Sequence, residues 1–273
     1  MTKPMAASPE PPPILRRKDH PAPSLFTPDA LLREARRQKG LPNALVPEIC
    51  VLDPDGDIGR HLAAQGRAKR LVSWACYHTE LHHFGLDGLS LGVVGFAVGA
   101  AFAVLVAEEL FASGCQLLIS VTSAGQILPG AAPPYFVIID RALRDEGTSY
   151  HYLPPADYSL ADEALIRLAR AALGDAGLPV QVGPTWTTDA PFRETAAAIA
   201  SARAAGILAV EMEAAGLYAF ATARERPVLC LAHVTNQMGR VEGDFEKGAS
   251  DGAEAALEVI SLIGRRWRGT MER

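Results

Sequence analysis

Apolar positions in this chain fall into two patterns. Short uninterrupted apolar runs alternate with longer stretches whose apolar residues recur three or four apart. The runs read as strands buried on both faces, and the stretches as helices packed by one side. Strands are expected at Ile49–Leu52, Leu71–Cys76, Leu89–Val94, Leu117–Val121, Phe136–Ile139, Pro179–Trp186, Ile207–Val210 and Pro227–Val234. Helices are expected over 29–39 with Gly40 as the stop, over a short segment ending at Gln65, and at Ala97–Ala112. Another starts from a capping-box-like Ser159-Leu-Ala-Asp162 and ends near Gly174. Glu194–Ala205, a segment from Glu213 to about Arg224, and Gly252–Ile263 complete the set. The last carries an apolar stripe at Ala253, Ala256, Leu257, Ile260 and Ile263. This alternation predicts a single α/β domain over residues 29–264, a central mixed and mostly buried sheet flanked by helices. Residues 1–28 are proline-rich and read as an extended arm; residues 265–273 read as a basic tail.

Composition narrows the function. The 273 residues are 49% hydrophobic and 21% charged, enough for one globular domain with a substantial core. A net charge of −5 without a long basic tract gives no case for a nucleic-acid partner. The run from Leu89 to Val106 approaches the roughly 20 residues of a membrane span, but Gly92, Gly95, Gly99 and the following Glu108-Glu109 favour a soluble strand and helix. No signal-peptide core opens the chain, so a cytoplasmic protein is expected. Cys50, Cys76, Cys115 and Cys230 are widely spaced without a C-x-x-C pair, which suits reduced thiols rather than disulfides or zinc.

Several motifs fail on inspection. Gly92-x-x-Gly95-x-x-x-Gly99 is not a dinucleotide fingerprint, and Asp53-x-Asp55-x-Asp57 lacks the glycine and closing glutamate of a calcium loop. His78-Thr79-Glu80 lacks the cysteine half of a zinc deaminase, and His78 and His82 lack the zinc-helix glutamate. No metal and no cofactor are expected.

Polar turns at the ends of apolar strands remain. In Val210-Glu211-Met212-Glu213, carboxylates stand where a strand passes into a helix, outside the carboxyl end of the strand. Asp55-Gly56-Asp57-Ile58-Gly59-Arg60 offers backbone N–H groups to an anion and an arginine to close over it. Ser120-Val-Thr122-Ser123-Ala-Gly125 is small and hydroxyl-bearing. Trp186 and Phe192 bracket a turn with surface for a flat ligand. His233-Val234-Thr235-Asn236-Gln237-Met238 puts polar amides at the end of a buried strand, suited to the edge of a heterocyclic base. Each has a plain structural alternative as a helix cap or tight connection.

Together these turns resemble the nucleoside phosphorylase and nucleosidase superfamily. Val210–Tyr218 is similar to its V-E-M-E-A-A-G-I/L-Y ribose site, and Arg144–Tyr152 to the R-x-E-G-x-S-x-H-F/Y segment of uridine phosphorylases. Gly56 to Arg60 keeps the spacing of its G-D-P-x-R phosphate turn, with Ile58 for the proline. The resemblance implies cleavage of an N-glycosidic bond, with inorganic phosphate as co-substrate in the phosphorylases. It implies that Glu213 accepts ribose hydroxyls, Met212 packs under the sugar beside Glu211, and Phe192 and Trp186 lie near the base. Arg60, Gly56, Thr122 and Ser123 would hold phosphate, and a histidine among His78, His82 and His83 would meet the ribose 5′-hydroxyl. It further implies a homo-oligomer, a dimer or a hexamer.

Two departures bear on the reaction. Ser120 stands where hexameric phosphorylases carry an arginine, and Ser123-Ala124-Gly125 is similar to the S-A-G of the nucleosidases, which attack with water. Thr235-Asn236 replaces the Ser-Asp whose acid protonates the purine base. A similar V-T-N occurs in trimeric 6-oxopurine phosphorylases, which favours inosine-like or guanosine-like substrates, whereas the Arg144–Tyr152 likeness points to a pyrimidine. Phosphorolysis of a purine nucleoside is the leading expectation; hydrolysis and binding without turnover are the alternatives.

Overall fold

The computed structural model describes residues 10–238 and 242–271. The first part of the expected arm and the last two residues of the expected tail lie outside them. Helix α1 (Pro28–Lys39) is capped by Thr27, whose Oγ1 accepts from the Ala30 N–H at 3.2 Å, and stops at Gly40 with φ +64. Strand β1 (Ile49–Asp53) and helix α2 (Asp57–Ala64) follow. An edge of β2 (Lys69–Arg70) and β3 (His82–Leu86) leads into β4 (Leu89–Gly95). Helix α3 (Ala100–Ala112), β5 (Leu117–Gln126), β6 (Tyr135–Asp145), the short α4 (Ser149–Tyr152) and β7 (Tyr158–Leu160) come next. Then run α5 (Glu163–Asp175), β8 (Val180–Thr188), α6 (Ala196–Ala204), β9 (Ala209–Glu211), α7 (Ala214–Arg224), β10 (Val228–Asn236) and α8 (Ala253–Met271).

The sheet is mixed and bends back on itself. β5 pairs with β1, β9 and β10, while β10 pairs with β6, β6 with β8 and β8 with β9, which closes a ring of five strands. One core lies between the sheet and α3 and α7, built on Leu118, Ala124, Val104, Leu110 and Leu217. A second lies on the other face, built on Leu117, Ile119, Ile58, Leu165 and Ile260. The period of two along β5 therefore gives Leu117, Ile119 and Val121 to one core. It turns Leu118, Ser120 and Thr122 toward α3 and α7.

Three expectations change. Leu71–Cys76 is not a strand: Trp74 N–H bonds the Leu71 carbonyl at 3.0 Å, folding the run into a turn that buries Trp74, Ala75 and Cys76. A short apolar run marks burial, not conformation. Beside it, β3 and β4 form a hairpin over Asp87-Gly88, both at positive φ (+47 and +81), as the Asp-Gly pair suits. Second, Ser159 lies in β7, and Asp162 alone caps α5, its Oδ1 accepting from Ala164 at 2.7 Å and Leu165 at 3.0 Å. Third, α8 continues through the stretch read as a tail, because buried Trp267 extends its apolar stripe. The described part of the arm crosses α4, with Lys18 Nζ 2.7 Å from His151 Nδ1 and His20 3.2 Å from the Tyr150 carbonyl.

Candidate active site

The site is organised around the N-terminus of α7. The first N–H groups of a helix need acceptors, and here β8 and β9 supply them. Glu211 Oε2 accepts from the Glu213 and Ala214 N–H groups, both at 2.7 Å. Its Oε1 accepts from the Thr185 hydroxyl at 3.1 Å and from the Thr187 hydroxyl. Thr187 Oγ1 in turn accepts from Ala215 N–H at 2.9 Å. Both oxygens of Glu211 are thereby committed to the fold. Glu213, relieved of capping, takes a non-helical conformation and points across to α3 and β5. Its Oε1 accepts from Gly99 N–H at 2.7 Å and its Oε2 from Thr122 Oγ1 at 2.8 Å.

Close packing makes that reach possible. Gly216 on α7 lies against α3, where a Cβ would come within 2.8 Å of the Ala100 Cβ. Helix α3 therefore presents its preceding residue, Gly99 at φ +84, directly to Glu213. Glu213 is 1% exposed, and burial, with Glu211 adding repulsion, raises its carboxyl to about 7. Burial also raises Glu211, against the pull of its hydroxyl and backbone donors.

The Asp55–Arg60 glycine turn is linked to this carboxylate through the β4–α3 connection. Gly56 has φ +77 and its Cβ position lies 2.3 Å from the Phe96 ring, so only glycine fits. Arg60 packs its guanidinium 5.4 Å from the Phe96 centroid and pairs with Asp57. Phe96 and Gly99 belong to the same short β4–α3 connection, which joins Arg60 to Glu213 physically. Asp53, 2% exposed, accepts from Gly59 N–H at 2.8 Å; burial lifts its carboxyl to about 6. Lys247, on the β10–α8 connection, bonds Asp55 at 3.2 Å and also Asp57. Burial alone lowers its ammonium, but the bonds to Asp57 and Asp55 outweigh this and hold it above the ordinary value. A small cavity between this turn and β5 is lined by Asp53, Asp55, Asp57, Thr122, Ser123 and His233. His233 stacks on Phe136 at 4.5 Å, and burial takes its imidazole down to about 4, so it is neutral at pH 7. Ser120 is buried with its hydroxyl unpartnered.

At the other end, β10 slips register between Val234 and Asn236, which places Asn236 opposite Gly125 of β5. Val210 of β9 pairs with Gly125 from the other side. A Cβ on Gly125 would meet the Met238 sulfur at 2.5 Å and Asn236 Oδ1 at 3.3 Å, so three strands converge where no side chain fits. Asn236 Oδ1 accepts from Met238 N–H at 2.9 Å, and its Nδ2 donates to Thr235 Oγ1 at 3.3 Å. Beyond Met238 opens a cavity of about 520 Å³ lined by Phe192, Glu194, Ile199 and Arg203.

The expected residues thus gather, with exceptions. Met212 and Glu213 follow β9, Thr122 and Ser123 lie within β5, Thr235 and Asn236 end β10, and Gly56 and Arg60 lie at the start of α2, just after β1. Phe192 is 99% exposed on a 3-10 turn, whereas Trp186 is taken into the core with Ile127 and Val210, its Nε1 donating to Asp145 at 3.0 Å. His82 and His83 lie on β3, separated from β5 by β4 and β1, and His83 pairs with Ser90 at 2.9 Å. Arg144 braces its own loop through Ser149 at 2.8 Å and the Pro154 and Leu153 carbonyls, and stacks 4.3 Å from Tyr150. Sequence reading named Gly99 and Asp53 only within motifs that failed, and His233 only as the first residue of the amide turn; it did not single out Phe96 or Lys247. Among the described residues no cluster of three or more His, Cys, Asp or Glu side chains is placed to hold a metal ion. All four cysteines are free and buried, and no described helix is long and apolar enough to cross a membrane.

A sequence profile of the phosphorylase superfamily matches residues 51–263. The chain belongs to that family. Among characterised phosphorylases, it is 28% identical over 244 residues to uridine phosphorylase of Thermococcus kodakarensis, covering 80% of this chain and 87% of that one. It is 29% identical over 238 residues to guanosine phosphorylase of Halorubrum lacusprofundi, covering 83% and 92%. The fold matches crystal structures of Vibrio fischeri uridine phosphorylase (TM-score 0.68, 19% identity, 81% and 91% covered). It also matches Campylobacter jejuni 5′-methylthioadenosine/S-adenosyl homocysteine nucleosidase (TM-score 0.66, 18% identity, 80% and 99% covered). As a phosphorylase-superfamily α/β domain, the chain shares its fold with a uridine phosphorylase and with a nucleosidase.

Proposed function

We propose that this protein cleaves the N-glycosidic bond of a purine nucleoside with inorganic phosphate, giving free base and a sugar 1-phosphate. The observation that carries the reading is the Glu213 carboxylate, buried and held by Gly99 and Thr122, one short connection away from the glycine turn and Arg60. Ribose hydroxyls donate to Glu213 and the sugar lies on Met212. Phosphate sits at the Gly56 turn with Arg60 and Ser123; the Gly56 N–H is taken by the Asp53 carbonyl at 2.9 Å and the Thr122 proton by Glu213, so neither donates to it. As the C1′–N bond breaks, the base leaves with the electron pair and the sugar becomes oxocarbenium-like. A phosphate oxygen then forms the C1′–O bond on the opposite face. The anion stabilises positive charge developing on the sugar, and Asn236 donates a hydrogen bond to the departing base. An amide keeps its protons, so the base takes its proton from solvent. The site as a whole suits a 6-oxopurine, whose ring nitrogen and oxygen match an amide.

Hydrolysis is favoured by one observation. Ser120 supplies no cation, and the Asp53 carboxyl, at about 6, lines the same cavity as Thr122 and Ser123, where it could take a proton from water. Arg60→Ala separates the two readings. Its side chain is 54% exposed, so the variant should fold. Phosphorolysis requires its KM for phosphate to rise about tenfold or more, the scale of a lost charge-assisted contact. Unchanged phosphate kinetics would place the anion elsewhere or remove it.

A further inference from the structure

The Asp57 carboxylate is gripped from two sides. Arg60 bonds Oδ1 from within α2, and Lys247 bonds Oδ2 from the β10–α8 connection, far along the chain. Lys247 also reaches Asp55 Oδ2 at 3.2 Å. The reaction outlined above does not use this lysine. Its side chain is 28% exposed, and between α2 and this lysine the chain runs through nine strands and five helices only to return to the anion turn. Such a return is costly to maintain unless the charge is needed there: ordering a lysine forfeits rotamer entropy.

Charge explains the need. Asp53, Asp55 and Asp57 crowd one turn, and Arg60 is already engaged with Asp57. A phosphate dianion approaching Gly56 meets carboxylates of its own sign and an arginine that is occupied. Arg60 can exchange Asp57 for a phosphate oxygen only if Asp57 keeps another cation, because an unpaired, largely buried carboxylate is strongly unfavourable. We propose that Lys247 is the positioning residue that holds Asp57 and Asp55, so that Arg60 is released to bind phosphate. Lys247 does not itself touch the anion; it acts through Asp57. This rests on the phosphorolytic reading.

The test is initial-rate kinetics on the intact protein, with inorganic phosphate varied at saturating nucleoside. The forms compared are wild type, Lys247→Met, Lys247→Arg and the double variant Asp57→Asn with Lys247→Met. Lys247→Met should raise KM for phosphate about tenfold while KM for nucleoside stays within about twofold. Lys247→Arg should restore most of the loss, since it keeps the charge. The double variant should bind phosphate better than Lys247→Met alone, because the acid that captures Arg60 is gone. Equal phosphate KM in wild type and Lys247→Met, or a double variant worse than the single, overturns the inference. Nucleoside KM rising in step with phosphate KM, without recovery in either companion variant, also overturns it. A wild type with no phosphate dependence overturns the phosphorolytic reading and this inference together; a phosphate-dependent wild type with an indifferent Lys247→Met overturns the inference alone.

Discussion

Thr122 Oγ1 donates to Glu213 Oε2 at 2.8 Å, joining the middle of β5 to the start of α7 inside the protein. With Gly99 N–H on the other oxygen, the carboxylate is fixed in direction before any ligand arrives. Such preorganisation spares the site a reorganisation cost when the sugar binds.

Glu213→Gln should therefore raise KM for nucleoside about tenfold or more, because an amide oxygen accepts sugar hydroxyls more weakly and its NH2 opposes Gly99 or Thr122. The acid form of Glu213 is equally unsuited. With the carboxyl at about 7, kcat/KM for nucleoside in the wild type should fall as pH drops through that value. Stability should move the other way. The folded carboxyl binds its proton more tightly than the ordinary 4.5, so this group favours the folded state at low pH. That contribution is lost as pH rises from about 4.5 to about 7. Denaturant midpoints at pH 5.5 and 8 should differ less in Glu213→Gln than in wild type; an equal difference would assign the pH dependence to other groups.

Glu211 is next in space and opposite in role. Four donors converge on it, two of them the first N–H groups of α7. Glu211→Ala leaves them unsatisfied in the core and should cost about 3 kcal/mol or more of stability. Thermal unfolding reads this directly, and a midpoint within about 1 °C of wild type would deny the bracing role.

Gly56→Ala meets both a positive φ and the Phe96 ring. The turn must shift, so KM for phosphate should rise more than KM for nucleoside. Phosphate saturation curves give the comparison; equal effects on both substrates would mean that the turn supports the whole site rather than the anion.

At the base end, Asn236→Asp places an acid where the amide now donates, and should shift preference from 6-oxo toward 6-amino purines. A panel of inosine, guanosine and adenosine measures this. Unchanged selectivity would detach Asn236 from base recognition.

The α/β class and the place of Glu213 at a strand-to-helix junction were legible because both leave local marks. Alternating strands and helices carry their own periods, and Glu213 sits at a strand-to-helix junction that sequence can locate. What escaped depends on contacts distant in the chain. The closure of β5, β10, β6, β8 and β9 into a ring has no local period. Trp186 looked like a stacking surface, but the ring turns it inward onto Val210. Lys247 reads as one surface lysine among others until α2 and the β10–α8 connection are brought together. Glu211 and Glu213 share one motif, yet only the direction of each side chain separates a helix brace from a carboxylate turned toward α3 and β5.

The most direct measurement is turnover of inosine, guanosine, adenosine and uridine by the wild-type protein, with saturating phosphate and with none, following base and sugar products. The account requires base release that depends on phosphate and yields a sugar 1-phosphate, fastest with a 6-oxopurine nucleoside. Base release at the same rate without phosphate, yielding free sugar, would contradict it and give the site to water.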